Sequence, residues 1–189
     1  MITTTRLGHT TIEEFERLID SGVFARSRQR VDLLYGEIRF MSPAGPNHED
    51  IVTYLMEWSV KWAEMHGYAT RVEKSLRLEL AGSVPEPDLA WVKRRRYRRG
   101  RPTAGDVGLV IEVAESSLRD DRSEMAAIYA EAGIQECWIA NCIDNLIEVY
   151  RQPLNGIYKQ QFVVAQGGRV SPLVAPAAEL DVSALFAEE

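Results

Sequence analysis

The chain has 189 residues, of which 46% are hydrophobic and 26% charged, and its formal net charge is −6. That length supplies one substantial core and is short for two, so a single domain over residues 1–189 is expected. The acidic balance argues against general nucleic-acid coating, no apolar run approaches the ~18 residues of a membrane-spanning helix, and the N-terminus lacks a signal-peptide core, which together read as a cytoplasmic protein.

Thr11 followed three residues later by Glu14 is a capping signature, and Phe15, Leu18 and Ile19 follow at helical spacing, so a short amphipathic helix opens the chain. RVDLLYGEIRFMSP (30–43) reads as two strands turning near Tyr35 and Gly36. Glu37 opens the return strand, as an exposed carboxylate or as a third acid near a site. GPNHEDIVTYLMEWSVKWAEMHGY (45–68) is the long helix, with Asn47 as N-cap, an apolar stripe of Ile51, Leu55, Trp58, Trp62 and Met65, and Gly67 at its end. His48 lies in its first turn, a packed or capping side chain unless that helix end meets other polar groups.

ATRVEKSLRLEL (69–80) alternates, with Val72, Leu76, Leu78 and Leu80 on one face. Lys74 falls on that apolar side, where it either snorkels at a sheet end or is needed inside.

The chain is organised around the next two strands. VGLVIEV (107–113) is an almost unbroken apolar run of strand length, which suggests a central strand covered on both faces, and Glu112 lies inside it. A dry carboxylate is costly unless it is protonated, hydrogen-bonded, salt-bridged or metal-bound. Asp88 follows Pro87 at the start of the preceding strand in SVPEPDLAWV (83–92). If the two strands pair antiparallel across the loop 93–106, a symmetric register sets Asp88 opposite Glu112 and Val92 opposite Gly108. Opposed side chains have Cβ atoms roughly 4.5–5.5 Å apart, where like charges repel. A divalent cation would remove the repulsion, and two hard carboxylates suit Mg²⁺ or Mn²⁺. The alternative is that Asp88 caps a turn and Glu112 pairs with an arginine.

The loop itself is KRRRYRRGR (93–101), with seven of the chain's 22 Lys and Arg residues. It is either a solvated loop or a phosphate contact for DNA through Arg94, Arg95 and Arg96, with Tyr97 available for stacking. A hairpin puts it at the end of the strands away from Asp88 and Glu112.

In AESSLRDDRSEMAAIYAEAG (114–133), Asp121 with Glu124 resembles a capping box, Met125, Ile128, Tyr129 and Ala132 form one helical face, and Gly133 ends it. IQECWIAN is a short buried strand in which Cys137 is a small buried residue. With Cys142 it forms no disulfide framework and no zinc knuckle. A hairpin across Asn155 and Gly156 and a short terminal helix complete a mixed α+β plan, a central sheet flanked by helices with an N-terminal hairpin and a β-rich C-terminal part.

VDLLYGEIRFMSPAGPNHEDI, PEPDLAWV and LVIEVAESSLRDDRSEMAAIYAEAGIQECWIAN followed by IEVYRQP resemble, in order and spacing over nearly the whole chain, the bacterial Uma-two family of restriction-endonuclease-like proteins in the PD-(D/E)xK nuclease superfamily. The resemblance implies a restriction-endonuclease-like core, with Asp88 and Glu112 as the motif acids. It also favours His48 as an assisting residue near a phosphate or metal-bound water, and Glu37 as an additional metal ligand.

In this family the motif lysine is displaced to the following helix in a D-R-x-x-K pattern. Here Asp121, Arg122, Ser123 and Glu124 are followed by Met125, which supplies neither charge nor proton. Met125 is an inactivating substitution, a degeneration that leaves a binding fold, or a sign that another cation serves, with Lys74 preferred over Arg122 because arginine stays protonated. The expected function is metal-dependent DNA cleavage, weakened at position 125, by a chain that forms a homodimer to cut both strands. The alternatives are an inactive nuclease fold that binds nucleic acid or a protein, and a structural dimer-forming domain.

Overall fold

A computed structural model of the protein describes residues 9–25, 27 and 29–187. Helix α1 (Ile12–Asp20) starts at the expected capping box, with the Thr11 hydroxyl accepting from the Glu14 amide and the Glu14 carboxylate accepting from the Thr11 amide. Strands β1 (Val31–Leu34) and β2 (Glu37–Phe40) form a separate hairpin whose turn residues, Tyr35 and Gly36, both have positive φ. The long helix α2 (Pro46–Ala63) begins earlier than expected. Gly45 is its N-cap and Pro46 its first residue, because proline is preorganised for that position and lacks an N–H to satisfy. Asn47 instead donates its side-chain amide to Glu115 at 3.3 Å.

β3 (Tyr68–Val72), β4 (Leu89–Lys93), β5 (Val107–Ala114), β6 (Glu136–Asn141), β7 (Leu146–Leu154) and β8 (Ile157–Ala165) form one sheet in that order. Only β5 and β6 run parallel. A parallel neighbour needs a crossover, supplied by the short helix α3 (Leu118–Asp120), a π-helical turn at Asp121–Met125 and helix α4 (Ala126–Glu131). A two-stranded ribbon of β9 (Arg169–Val170) and β10 (Leu180–Asp181) leads to the terminal helix α5 (Val182–Leu185). Among the described residues no helix is long and apolar enough to cross a membrane.

Side-chain alternation along β5 feeds two cores. Leu109, Ile111 and Val113 pack with Ile51, Leu55 and the fully buried Trp91 and Trp138 on the α2 face, where Trp58 lies 5.3 and 5.8 Å from those two indoles. Val110 and Ala114 pack with Ile128, Tyr129 and Leu34 on the α4 face. Each large side chain so buried contributes about 1.5–3 kcal/mol, and Glu112 shares the α4 face by parity.

Three expectations need correction. The alternating run at 69–80 is not one strand: Glu73 takes φ 47°, which turns the chain from the α2 face, where Val72 packs, to the α4 face, where Leu76 and Leu78 are buried. Lys74 is therefore exposed and donates only to the Glu73 carbonyl at 3.2 Å, while Leu80 sits in a turn, 75% exposed. Met65, expected in the α2 stripe, lies just beyond that helix and is also exposed. In the β4–β5 pair, Val92 meets Val107 rather than Gly108, because a bulge follows Trp91. Gly108 falls at that irregularity under the Tyr68 ring, where a Cβ would come within 2.6 Å of a ring carbon.

Candidate active site

Leu89 pairs with Ile111 and Ala90 with Val110. Continued by one residue, that register sets Asp88 beside Glu112, and parity places both on the α4 face. Their link is through the backbone. The Asp88 amide donates to Glu112 Oε2 at 3.2 Å, and Asp88 Oδ2 accepts from the Val113 amide at 2.8 Å. Both are buried. Glu112 Oε1 accepts the Tyr129 hydroxyl from α4.

His48, in the first turn of α2, places Nε2 3.1 Å from Asp88 Oδ2. The helix end therefore does meet the carboxylates. That contact raises the imidazole above its ordinary value, against the opposing effect of burial.

Two groups that the sequence did not single out complete the cluster. Arg30, just before β1, reaches Asp88 Oδ1 with Nη1 at 3.5 Å and Asp32 Oδ1 with Nε at 3.9 Å. Asp32 is fully buried in β1. Its signal was the one that marked Glu112, an acid between apolar neighbours in a short strand. Arg30 carried no such signal, since its partner Asp88 is 58 positions away.

Asp121 is buried and accepts the Ser117 hydroxyl at 2.6 Å, so it lies inside the helical segment and is not the expected N-cap. Residues eight apart in a regular α-helix are offset by roughly 80°. The wider π turn takes up about one residue, which brings Asp121 and Tyr129 onto nearly one line. Met125 lies between them in sequence and is buried in the same core as Tyr129.

The electrostatics follow from crowding acids in a dry place. Burial first, then the charges of Asp88 and Asp121, push Glu112 well up from its ordinary value. Burial also raises Asp32 and Asp121, each to about 6. Four buried carboxyl groups thus face one guanidinium and one imidazole.

Other expected residues lie elsewhere. Glu37 is half exposed and pairs with Arg39 at 3.1 Å, and Arg39 also reaches Glu124; no contact among the described residues joins Glu37 to Asp88 or Glu112. Arg122 is committed to Glu148, with Nε 2.9 and 3.0 Å from the two carboxylate oxygens. Lys74 faces solvent. Neither of the cations weighed as substitutes for a lysine touches the acids.

In the arginine loop, Arg94 pairs with Glu64 and Arg95 with Asp106. Tyr97 is already stacked, with the Arg71 and Arg95 guanidinium carbons 5.7 and 5.1 Å from its ring centre. Arg96, Arg98 and Arg99 are exposed and have no carboxylate partner among the described residues.

A divalent cation suits this donor set. Asp88 and Glu112 offer hard oxygens on neighbouring strands, and the excess of buried negative charge favours a small cation. As they stand, no three His, Cys, Asp or Glu side chains among the described residues form a chelate, so water and a substrate oxygen would complete the shell.

A crystal structure titled as a putative nuclease belonging to DUF820 from Anabaena variabilis ATCC 29413 shares the fold, with a TM-score of 0.73 at 17% identity over 93% of this chain and 97% of that one. No curated protein is significantly similar to the chain. The family model Uma2, described as "Putative restriction endonuclease", matches residues 12–183, and the chain belongs to that family.

Proposed function

We propose that the protein is a divalent-metal-dependent DNA endonuclease. The observation that carries this reading is the backbone-locked pair of buried carboxylates, Asp88 and Glu112, in a cluster whose four acids exceed its cations. Family membership and the nuclease-like fold support nuclease function in general. Restriction-endonuclease-like proteins generally use divalent metals, and Asp88 with Glu112 would hold Mg²⁺ or Mn²⁺ here.

When bound, such an ion polarises a phosphoryl oxygen and lowers the pKa of water. The chain's own residues supply the rest. Tyr129 and the Asp88 amide fix the Glu112 carboxylate in one orientation. His48 Nε2 donates to Asp88 Oδ2 and holds that carboxylate in place, and the proton of the attacking water passes to solvent as its oxygen adds to phosphorus and the bond to the departing ester oxygen breaks. The departing oxygen then takes up a proton.

The arginine loop lies at the other end of β4, roughly 17 Å from Asp88 at strand rise. On an acidic protein it is a local basic feature for the phosphate backbone, and the contacts fall to Arg96, Arg98 and Arg99, since Arg94 and Arg95 are engaged internally.

The buried Met125 favours one second reading, a fold that binds nucleic acid without cutting it. Supercoiled plasmid with Mg²⁺ or Mn²⁺ separates the two. The nuclease reading expects nicking or linearisation that Asp88→Ala abolishes. Cleavage that survives Asp88→Ala would overturn this site. Plasmid retardation without cleavage, lost when Arg96, Arg98 and Arg99 become Ala, would establish the second reading instead.

A further inference from the structure

Phosphodiester cleavage beside four buried carboxyl groups calls for a fixed positive charge from the protein, because the substrate phosphate is itself an anion. Position 125 does not supply it. The methionine there is buried in the same core as Tyr129, which donates to Glu112, so a lysine at that place would approach the acids from the α4 side. Arg30 approaches the same acids from the hairpin side.

Among the described residues Arg30, Arg95, Arg122 and Arg151 sit on buried acids, and Arg30 sits differently from the other three. Arg122 holds Glu148 tightly through two oxygens, at 2.9 and 3.0 Å, as a structural ion pair does. Arg30 touches Asp88 at 3.5 Å and Asp32 at 3.9 Å, forms no two-pronged pair with either, and among the described residues its buried Nε has no hydrogen-bond partner. A guanidinium with five donors and such long contacts retains capacity to donate to another anion. Resting on the nuclease reading, that anion is the scissile phosphate.

We propose that Arg30 takes over the work of the absent motif lysine: the site's phosphate-binding cation has moved from the α3–α4 segment to the residue before β1. Its N–H groups hold the non-bridging phosphate oxygens as negative charge builds on them. A guanidinium stays protonated and takes no proton from water, so in this arrangement Arg30 stabilises charge and the water's proton goes to solvent. Position 125 is then free to be apolar and joins the core with Leu118, Ala126 and Tyr129.

The test is the coupling between positions 30 and 125, read in two ways: plasmid cleavage rate, and the rise in melting temperature caused by inorganic phosphate with Mn²⁺ present. Arg30→Met is expected to lower cleavage on the order of 10²–10³-fold, the cost of losing one preorganised donor, and to remove the phosphate response. Adding Met125→Lys to that variant is expected to restore both, whereas Met125→Lys in the native background gains far less. Arg30→Gln substitutes for Arg30→Met if the latter does not give a cooperative thermal transition.

Three results would sink the proposal. One is native-like cleavage and phosphate response in Arg30→Met. Another is a folded double variant as unresponsive as the single. The third is an equal gain from Met125→Lys with and without Arg30. If no variant cleaves, yet the phosphate response is lost with Arg30 and regained with Lys at 125, the relocated cation stands and the nuclease reading falls.

Discussion

Asp88 and Glu112 clasp one another through the main chain: the Asp88 amide donates to Glu112 Oε2 at 3.2 Å, and Asp88 Oδ2 accepts the next amide along, that of Val113, at 2.8 Å. Each carboxylate is oriented by the strand that carries the other. The separation of the two side chains is therefore set by sheet geometry, and the remaining lone pairs are available to a cation.

The Tyr129 hydroxyl is the third support of this pair, since it donates to Glu112 Oε1 and both residues are buried. Tyr129→Phe keeps the ring in its core position and deletes that donor. A destabilisation of about 1–3 kcal/mol is expected, read by urea unfolding, together with a slower metal-dependent cleavage. An unchanged unfolding midpoint would show that Glu112 does not need the hydroxyl.

Glu148 is the clearest pH probe away from the site. Burial works to raise its carboxyl, but Arg122, the Tyr150 hydroxyl and the Asn141 amide together hold it below its ordinary value. A carboxyl whose pKa is lower folded than unfolded contributes stability that is complete above the unfolded value, about 4.3, and is lost as pH falls through the folded one. Glu148→Gln should therefore cost about 1–2 kcal/mol at pH 7. The gap to the native protein should close as pH falls below about 4. A gap that persists at low pH would assign the loss to packing.

The arginine loop makes a prediction about salt. Each phosphate contact adds about 0.9 to the slope of log affinity against log salt for duplex DNA. The triple change of Arg96, Arg98 and Arg99 to Ala should lower that slope by about 2–3, measured in the absence of metal so that cleavage does not intervene. Arg94→Ala should lower it less, because that side chain is already occupied by Glu64. Equal effects from the two would refute the division of the loop into internal and outward arginines.

Much of this molecule was legible in its sequence. The capping box at Thr11, the turn at Tyr35 and Gly36, the buried run of β5 and the terminal hairpin all follow from local periodicity and turn chemistry, and the pairing of Asp88 with Glu112 followed from joining two adjacent strands antiparallel. Those signals reach the sequence because each depends on residues a few positions apart, or on whether one face of a strand is dry.

Tertiary structure decided the rest. The left-handed kink at Glu73 sent Lys74 to solvent although its alternation pattern was intact, and the demand of Leu76 and Leu78 for the opposite core explains the turn. Arg122 went to Glu148 on β7, and the charge beside Asp88 came from Arg30, far away in the chain. Long-range ion pairs leave no periodic trace, because a charged residue in a loop looks the same in sequence whether its partner is solvent or a buried acid. The sequence alone therefore determined that Asp88 and Glu112 form the acidic pair, and only the packed fold brought Asp32 and Asp121 to them and decided which cation stands beside them.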